Sequence, residues 1–228
     1  MNVDRARVSR RAALRAAAAV AAFALVGSAA AAAPAQAPTP LVEDKNYARL
    51  ANPQPVETGN KIEVIEFFSY GCPHCAALEP YLDKWLEKLP SDVAFRRVPV
   101  MFHEAWVRLA RVYYTLDAMG DARKLSPAVF KAIHADGVDL SNDKTFFDWA
   151  GKQGLDAKQV AAVYSSFAVD SKVKRAMQLG KDYGIESVPT VIVDGKFITS
   201  SDRVGTHAAM PGAIDQLIAK ARAERAKS

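Results

Sequence analysis

The sequence predicts an α/β fold in which a helical domain interrupts a sheet. Three observations carry this prediction. An apolar run at 62–68 leads into Cys-Pro-His-Cys at 72–75, the start of a helical pattern. Helical periodicity then extends over about 104–182, and a β-hairpin pattern followed by a last helix completes the chain. The chain after its N-terminal leader is long enough for one domain with a large insertion.

Residues 1–35 have the pattern of a secretory signal peptide. Five arginines precede an apolar run at 16–26, which is too short to span a bilayer, and the Ala-rich stretch 28–37 offers small-residue cleavage sites. The segment Ser-Arg-Arg-Ala-Ala-Leu at 9–14 also resembles a twin-arginine signal, although an ordinary basic head is favoured. Export to the periplasm, an oxidising compartment, is therefore predicted. Residues 36–46 are rich in Ala and Pro, which predicts a flexible start of the mature chain.

The positive net charge of the chain, +5, belongs mainly to this leader. Removing 1–35 takes away five Arg and one Asp, and leaves 25 basic and 24 acidic side chains. A nearly neutral mature protein lacks the basic composition that nucleic-acid binding requires.

The first part of the fold is predicted over 47–103. Three apolar runs have the length and composition of strands: 47–50, 62–68 and 93–100. Between the second and third, Cys72 is placed as the cap of a helix with Pro73 at its first position, where the missing N–H costs nothing. The helix has an apolar stripe formed by Leu78, Leu82, Trp85 and Leu89.

The inserted helical domain is predicted over 104–182. Its aromatic residues recur at helical spacing and are interpreted as a core, not as a cofactor pocket. Ser126-Pro127 is predicted to begin one of its helices, and Asp156 to cap another.

Strands resume in the last part, 183–228. Two short apolar runs flank Asp194-Gly195, a strong signal for a two-residue hairpin, and Pro211 opens a final helix. This order of elements is that of a thioredoxin fold with a helical domain inserted after the third strand.

The Cys-x-x-Cys motif predicts sulfur redox chemistry, because a cysteine at a helix start faces unpaired N–H groups and the positive end of the helix dipole. Cys72 is the predicted nucleophile, and Cys75, one turn further on, should be more buried. His74 can add a donor and a positive charge, while Pro73 stiffens the turn. A stabilised Cys72 thiolate favours the reduced pair and makes the disulfide form an oxidant.

Three further residues are assigned to the site. Val188-Pro189 precedes a strand and is predicted to be a cis peptide beside the cysteines, leaving neighbouring backbone groups for an extended peptide. Glu66 lies in the strand before the motif and is either a buried carboxylate able to exchange a proton with Cys75 or an edge-facing residue. Glu63 is interpreted as solvent-facing, and His103, His134 and His207 as ordinary surface or loop residues.

The segment Phe-Phe-Ser-Tyr-Gly-Cys-Pro-His-Cys at 67–75, together with Val188-Pro189 and the hairpin at 193–197, closely resembles the DsbA family of periplasmic thiol:disulfide oxidoreductases. The resemblance implies that Cys72 attacks and Cys75 resolves, that His74 tunes the thiolate, that Val188-Pro189 forms a cis-proline loop, and that Glu66 is a buried acid. It implies oxidation of thiols in newly exported proteins, and reoxidation by a quinone-linked membrane protein of the DsbB type. The protein is also expected to be a monomer and to need no cofactor. Members often carry a Lys near the buried acid, where Arg97 stands here.

Two other functions are conceivable for a chain with this motif. A disulfide isomerase or reductase can use the same fold, but such isomerases usually carry an N-terminal dimerisation domain, for which 37–60 is too short. A zinc module using Cys72 and Cys75 needs two more ligands, and no pair of histidines has ligand spacing, so no metal is expected.

Overall fold

The structure is a computed structural model that describes residues 39–227. Its centre is a five-stranded mixed sheet in the order β1-β5-β4-β2-β3. The strands are β1 (Ala48–Arg49), β2 (Ile62–Phe68), β3 (Val93–Pro99), β4 (Thr190–Val193) and β5 (Phe197–Ser200). β2 pairs in parallel with β3 and antiparallel with β4, so it lies inside the sheet with every residue buried.

Helices cover both faces of the sheet, as the predicted fold class requires. They are α1 (Pro73–Leu86), α2 (Glu104–Ala118), α3 (Ala122–His134), α4 (Asp143–Lys152), α5 (Ala157–Tyr164), α6 (Phe167–Asp182), α7 (Ser201–Val204) and α8 (Met210–Arg225), with a 3₁₀ turn at His207–Ala209. One apolar cluster packs α1 and α8 on the sheet through Val64, Leu78 and Ile214. The other packs the α2–α6 region against Ile65, Phe67 and Phe68.

The inserted helices α2 to α6 run from Glu104 to Asp182. Asp156 caps α5 as predicted, because its side chain accepts hydrogen bonds from the N–H groups of Lys158 and Gln159. The predicted helix start at Ser126-Pro127 is wrong: both residues lie inside α3, which begins at Ala122. The exact domain limits, 47–103, 104–182 and 183–228, stay a prediction.

The hairpin between β4 and β5 turns at the predicted residues. Asp194 and Gly195 both have positive φ, 56° and 63°, which is the backbone that a two-residue turn between twisted strands needs. The predicted solvent-facing position of Glu63 is wrong. Because helices cover both faces of the sheet, Glu63 is fully buried, and its carboxylate accepts a hydrogen bond from Arg96 Nε at 3.1 Å.

The signal peptide, 1–35, lies outside the described residues. Of the segment 36–46, the structure describes 39–46, and these residues are anchored to the fold. The Leu41 N–H donates to Gln216 Oε1 at 3.1 Å, and Gln216 Nε2 donates to the Thr39 carbonyl at 3.2 Å. Within the described residues, no helix has both the length and the apolar composition that a membrane span requires.

Candidate active site

Cys72 lies at the N-terminus of α1, where β2 and its following loop deliver it. It is the N-cap residue with extended backbone, and Pro73 occupies the first turn of the helix. Its Sγ lies 3.5 Å from the Val188 carbonyl oxygen, to which the protonated thiol donates. Both cysteines are free thiols, with Cys72 5% exposed and Cys75 fully buried. The sulfur of the first cysteine is therefore the one that a partner can reach.

The two thiols have opposite acidities. A hydrogen bond from the Cys75 thiol is the largest cause that lowers the pKa of Cys72, to about 6. Burial acts against it, while the backbone N–H groups of Cys75 and His74 and the charge of His74 add to the lowering. Burial raises the pKa of Cys75 far above its ordinary value, and its hydrogen bond to Cys72 raises it further. One sulfur is thus ionised at neutral pH and the other keeps its proton.

The loop before β4 brings Val188 and Pro189 to this helix end. The Val188–Pro189 peptide is cis, which confirms the prediction. The Thr190 hydroxyl donates to the Ser187 carbonyl at 2.8 Å and thereby closes the loop. Pro189 is buried and Val188 half-buried.

His74 is exposed at the start of α1, with its ring centroid 5.9 Å from that of His207. His207 is held by its Nδ1, which lies 2.7 Å from the Ser201 hydroxyl. The interpretation of His207 as an ordinary loop residue is therefore incomplete, because the fold places it beside the motif. Because the two histidines are more than 130 residues apart in the sequence, no local pattern indicates this contact.

Glu66 is buried, which confirms the first of its two predicted positions, and it belongs to an ionic cluster. Arg97 of β3 donates from Nε to Glu66 at 2.7 Å and from its terminal nitrogen to Glu79 at 2.6 Å. Arg97, Glu66 and Glu79 are all almost completely buried. The predicted substitution of Arg97 for a lysine near the acid agrees with this geometry.

Glu79 was missed by the sequence analysis. It lies one helical turn after Cys75, and this i, i+4 spacing on the buried face of α1 was the available signal. Burial raises the pKa of Glu79 to about 8 and, against the opposing effect of Arg97, also raises the pKa of Glu66. Because one guanidinium can neutralise only one carboxylate, the buried pair favours holding one proton.

Among residues 39–227, no group of three or more His, Cys, Asp or Glu side chains is arranged to hold a metal ion. A thioredoxin-type sheet with an ionisable cysteine at a helix N-terminus, a buried second cysteine and a neighbouring cis-proline defines a thiol:disulfide oxidoreductase.

Comparison with known proteins places the chain within this class. A profile of the DSBA-like thioredoxin domain matches residues 63–209. The thiol:disulfide interchange protein DsbA of Pseudomonas syringae pathovar tomato is 40% identical over 200 residues, 88% of this chain and 94% of the relative. The corresponding protein of Pseudomonas aeruginosa is 37% identical over 183 residues, 80% of this chain and 87% of the relative.

Solved structures agree. The crystal structure of Pseudomonas aeruginosa DsbA has a TM-score of 0.78 at 37% identity, covering 82% of this chain and 97% of that chain. Reduced DsbA1 from Neisseria meningitidis has a TM-score of 0.75 at 33% identity, covering 84% and 100%. The chain belongs to the DsbA family.

Proposed function

We propose that this oxidoreductase works as an oxidase, which donates a Cys72–Cys75 disulfide to exported proteins with free thiols. The observation that supports this direction is the opposite acidity of the two thiols. At pH 7 a thiol with a pKa of about 6 is mostly ionised, which stabilises the reduced pair by about 1.4 kcal/mol, on the order of 30 mV for a two-electron couple.

The first step forms a mixed disulfide. A substrate thiolate attacks Cys72 Sγ, the Cys72–Cys75 bond breaks, and its electron pair goes to the Cys75 sulfur. Because the pKa of Cys75 is raised by burial, this sulfur takes up a proton. Glu66 is the proposed acid that exchanges this proton, since its charge acts on Cys75, whereas a guanidinium such as Arg97 does not release its proton.

The second step releases the product. A second substrate thiolate attacks the substrate sulfur of the mixed disulfide, and Cys72 leaves as a thiolate. A leaving thiol of low pKa departs faster, and the charge of His74 together with the helix N–H groups stabilises it. Two electrons have then passed from the substrate dithiol to the protein, which ends with one proton on Cys75 and a thiolate at Cys72; the second proton of the dithiol has gone to solvent.

Val188 and Pro189 are the proposed wall for the substrate peptide. The Val188 carbonyl faces the Cys72 sulfur at 3.5 Å, and Pro189 has no backbone donor of its own. An extended peptide can pair with the exposed backbone groups of such a loop without a sequence requirement.

The cellular setting of this reaction is also proposed. Residues 1–35 direct the chain to the periplasm, where it acts as a monomer. A quinone-linked membrane protein of the DsbB type then restores the disulfide. Family membership and the leader pattern support these assignments.

Equilibration of the protein with glutathione tests the direction of transfer. We expect a potential clearly more oxidising than about −230 mV, which is the reducing end of the glutaredoxin range. A potential near −270 mV, as reducing as a thioredoxin, would overturn the oxidase proposal in favour of a reductase.

Two cysteine variants test the assigned roles. Cys72→Ser should abolish thiol oxidation and leave the fold intact, while Cys75→Ser should accumulate the mixed disulfide with a cysteine-containing peptide. A Cys72→Ser protein that still oxidises the peptide would contradict the role of Cys72.

A further inference from the structure

The loop between β2 and α1 is contacted by two helices of the inserted region. From α2, Trp106 packs so closely that a Cβ on Gly71 would lie 2.5 Å from its indole nitrogen. Contacts from α3 converge on Tyr70, which is 1% exposed and whose ring also lies 6.1 Å from that of Tyr113 in α2. Tyr70 stands two residues before Cys72.

Three residues of α3 bind Tyr70 at three different groups. The Ser126 hydroxyl lies 2.7 Å from the Tyr70 hydroxyl. The Phe130 ring meets the Tyr70 ring edge-on, with centroids 5.0 Å apart. His134 Nε2 donates to the Tyr70 carbonyl at 2.8 Å, since a carbonyl can only accept.

Ser126, Phe130 and His134 are spaced by four and therefore share one face of the helix. We name them the α3 stripe. We propose that the α3 stripe is a set of positioning residues, which holds the loop before Cys72 and fixes the Cys72 sulfur against the N-terminus of α1. This proposal rests on the proposed role of Cys72 as the attacking sulfur.

The loop needs such a restraint. Gly71 has no side chain and allows its neighbouring peptide units to rotate. Within the loop, only short-range bonds oppose this rotation: the Cys72 N–H donates to the Ser69 carbonyl at 3.0 Å, and the Gly71 N–H donates to the Ser69 hydroxyl at 3.1 Å. The bond from His134 fixes the peptide unit between Tyr70 and Gly71 from outside.

The consequence reaches the sulfur through geometry. The N–H groups of His74 and Cys75 stabilise the Cys72 thiolate, and hydrogen bonds of this kind weaken steeply when distance or angle changes. A looser loop therefore leaves a less stabilised thiolate. The inserted helices thus contribute to the redox chemistry as well as to the core.

Two variants of His134 separate its hydrogen bond from its packing. His134→Phe keeps a ring where the imidazole stacks on Phe130, with centroids 6.2 Å apart, but it cannot donate. His134→Gln keeps a donor. The Cys72 thiolate is titrated by ultraviolet absorbance. In His134→Phe the midpoint of this titration should rise by about half a pH unit. Such a shift corresponds to about a threefold change in the equilibrium constant with glutathione. His134→Gln should return toward the parent value.

Ser126→Ala and Tyr70→Phe remove the two ends of one hydrogen bond. Each should raise the Cys72 midpoint, and the double variant should not exceed the larger single effect, because both act on the same contact. Lys131→Gln is the control, since Lys131 lies on the same helix and forms an exposed ion pair with Asp136, beyond the helix end; this variant should leave the titration unchanged.

The proposal is overturned if His134→Phe and Ser126→Ala fold, have a lower urea midpoint and show an unchanged Cys72 titration. The α3 stripe would then contribute to packing only. If His134→Phe does not fold, Ser126→Ala and Tyr70→Phe decide the question in the same way. The thiolate is measured without a substrate, so this result is independent of the direction of disulfide transfer. Failure of the oxidase proposal would appear instead in the glutathione potential of the parent protein.

Discussion

Cys72 and Cys75 show how one turn of helix divides the roles of two identical side chains. The first sulfur has the helix N–H groups and the Cys75 thiol as donors. At the second sulfur, burial, the hydrogen bond to Cys72 and neighbouring negative charge outweigh one backbone hydrogen bond at Ser69. Reduction of a disulfide between such unequal thiols gives one stable thiolate and one protonated thiol.

The acidity of Cys72 predicts its alkylation profile. The rate of reaction of the reduced protein with iodoacetamide should rise with pH and reach half its plateau near pH 6, because only the thiolate reacts. Cys75→Ala should move this midpoint upward, since it removes the largest cause of the lowered pKa. Cys75→Ser retains a donor and should move it less, and equal midpoints in the two variants would contradict the assigned hydrogen bond.

The ionic cluster of Glu66, Arg97 and Glu79 joins three elements, β2, β3 and α1. Oε1 of Glu66 and Oε1 of Glu79 have no hydrogen-bond partner among the described residues. Removing Arg97 would leave two buried carboxyls without a cation, a change of the kind that costs about 3–5 kcal/mol. The cluster therefore holds the active-site helix on the sheet. Its cost is that two buried carboxyls share a single guanidinium, so one of them favours the protonated form.

Glu79 makes the stability of the protein pH-dependent. Its pKa is raised from 4.5 to about 8, so the folded form binds this proton more tightly than the unfolded chain does. The associated stability is present below the unfolded pKa and is lost as pH rises toward 8. We expect the free energy of unfolding of oxidised Glu79→Gln, measured in urea, to rise relative to that of the parent by on the order of 3–4 kcal/mol between pH 5 and pH 8.

The control for this measurement is Glu87→Gln, which changes an exposed carboxylate at the end of the same helix. Its difference from the parent should stay constant over the same pH range. A constant difference for Glu79→Gln as well would show that Glu79 is ionised in the folded protein.

Local chemistry in the sequence was sufficient for several elements. The cap at Cys72, the hairpin at Asp194-Gly195 and the span of β2 each depend on residues that are adjacent in the chain. Pro127 led to a wrong helix start, because proline is common in the first turn of a helix. The helix α3 begins four residues before Ser126, and Asp121, which precedes it, makes no side-chain capping bond that would mark this start.

Tertiary partners were beyond the reach of these patterns. Whether Glu63 is exposed depends on what covers that face of the sheet, and α6 does so from a distant part of the chain. Arg97 binds both Glu66 and Glu79, which lie 31 and 18 residues away from it in the sequence. No spacing rule predicts the contact of His207 with His74.

At the scale of the whole molecule, the thiol acidity and the fold stability are two views of one linkage. A thiolate that is stabilised by the native structure stabilises the native structure in return. The reduced protein has this contribution, whereas the oxidised protein, which has no thiol to ionise, does not. Because the oxidised protein is less stable than the reduced protein, transfer of the disulfide to a substrate is favoured.

The sign and size of this difference can be calculated from the two states of Cys72. Its pKa is about 6 in the folded protein against an ordinary 9.0, so the gain in stability is absent near pH 5, grows as pH rises through 6, and is complete only above the unfolded value. Between pH 5 and pH 8 the free energy of unfolding of the reduced form should therefore rise by about 2–3 kcal/mol relative to the oxidised form.

Urea unfolding of both redox forms at a series of pH values measures this difference directly, and contributions from Glu79 cancel because both forms contain it. Cys72→Ala, compared with the oxidised parent, should show no such rise. A reduced-minus-oxidised difference that is flat with pH would mean that the Cys72 thiolate is not stabilised by the fold, and the oxidising direction would then lose its physical basis.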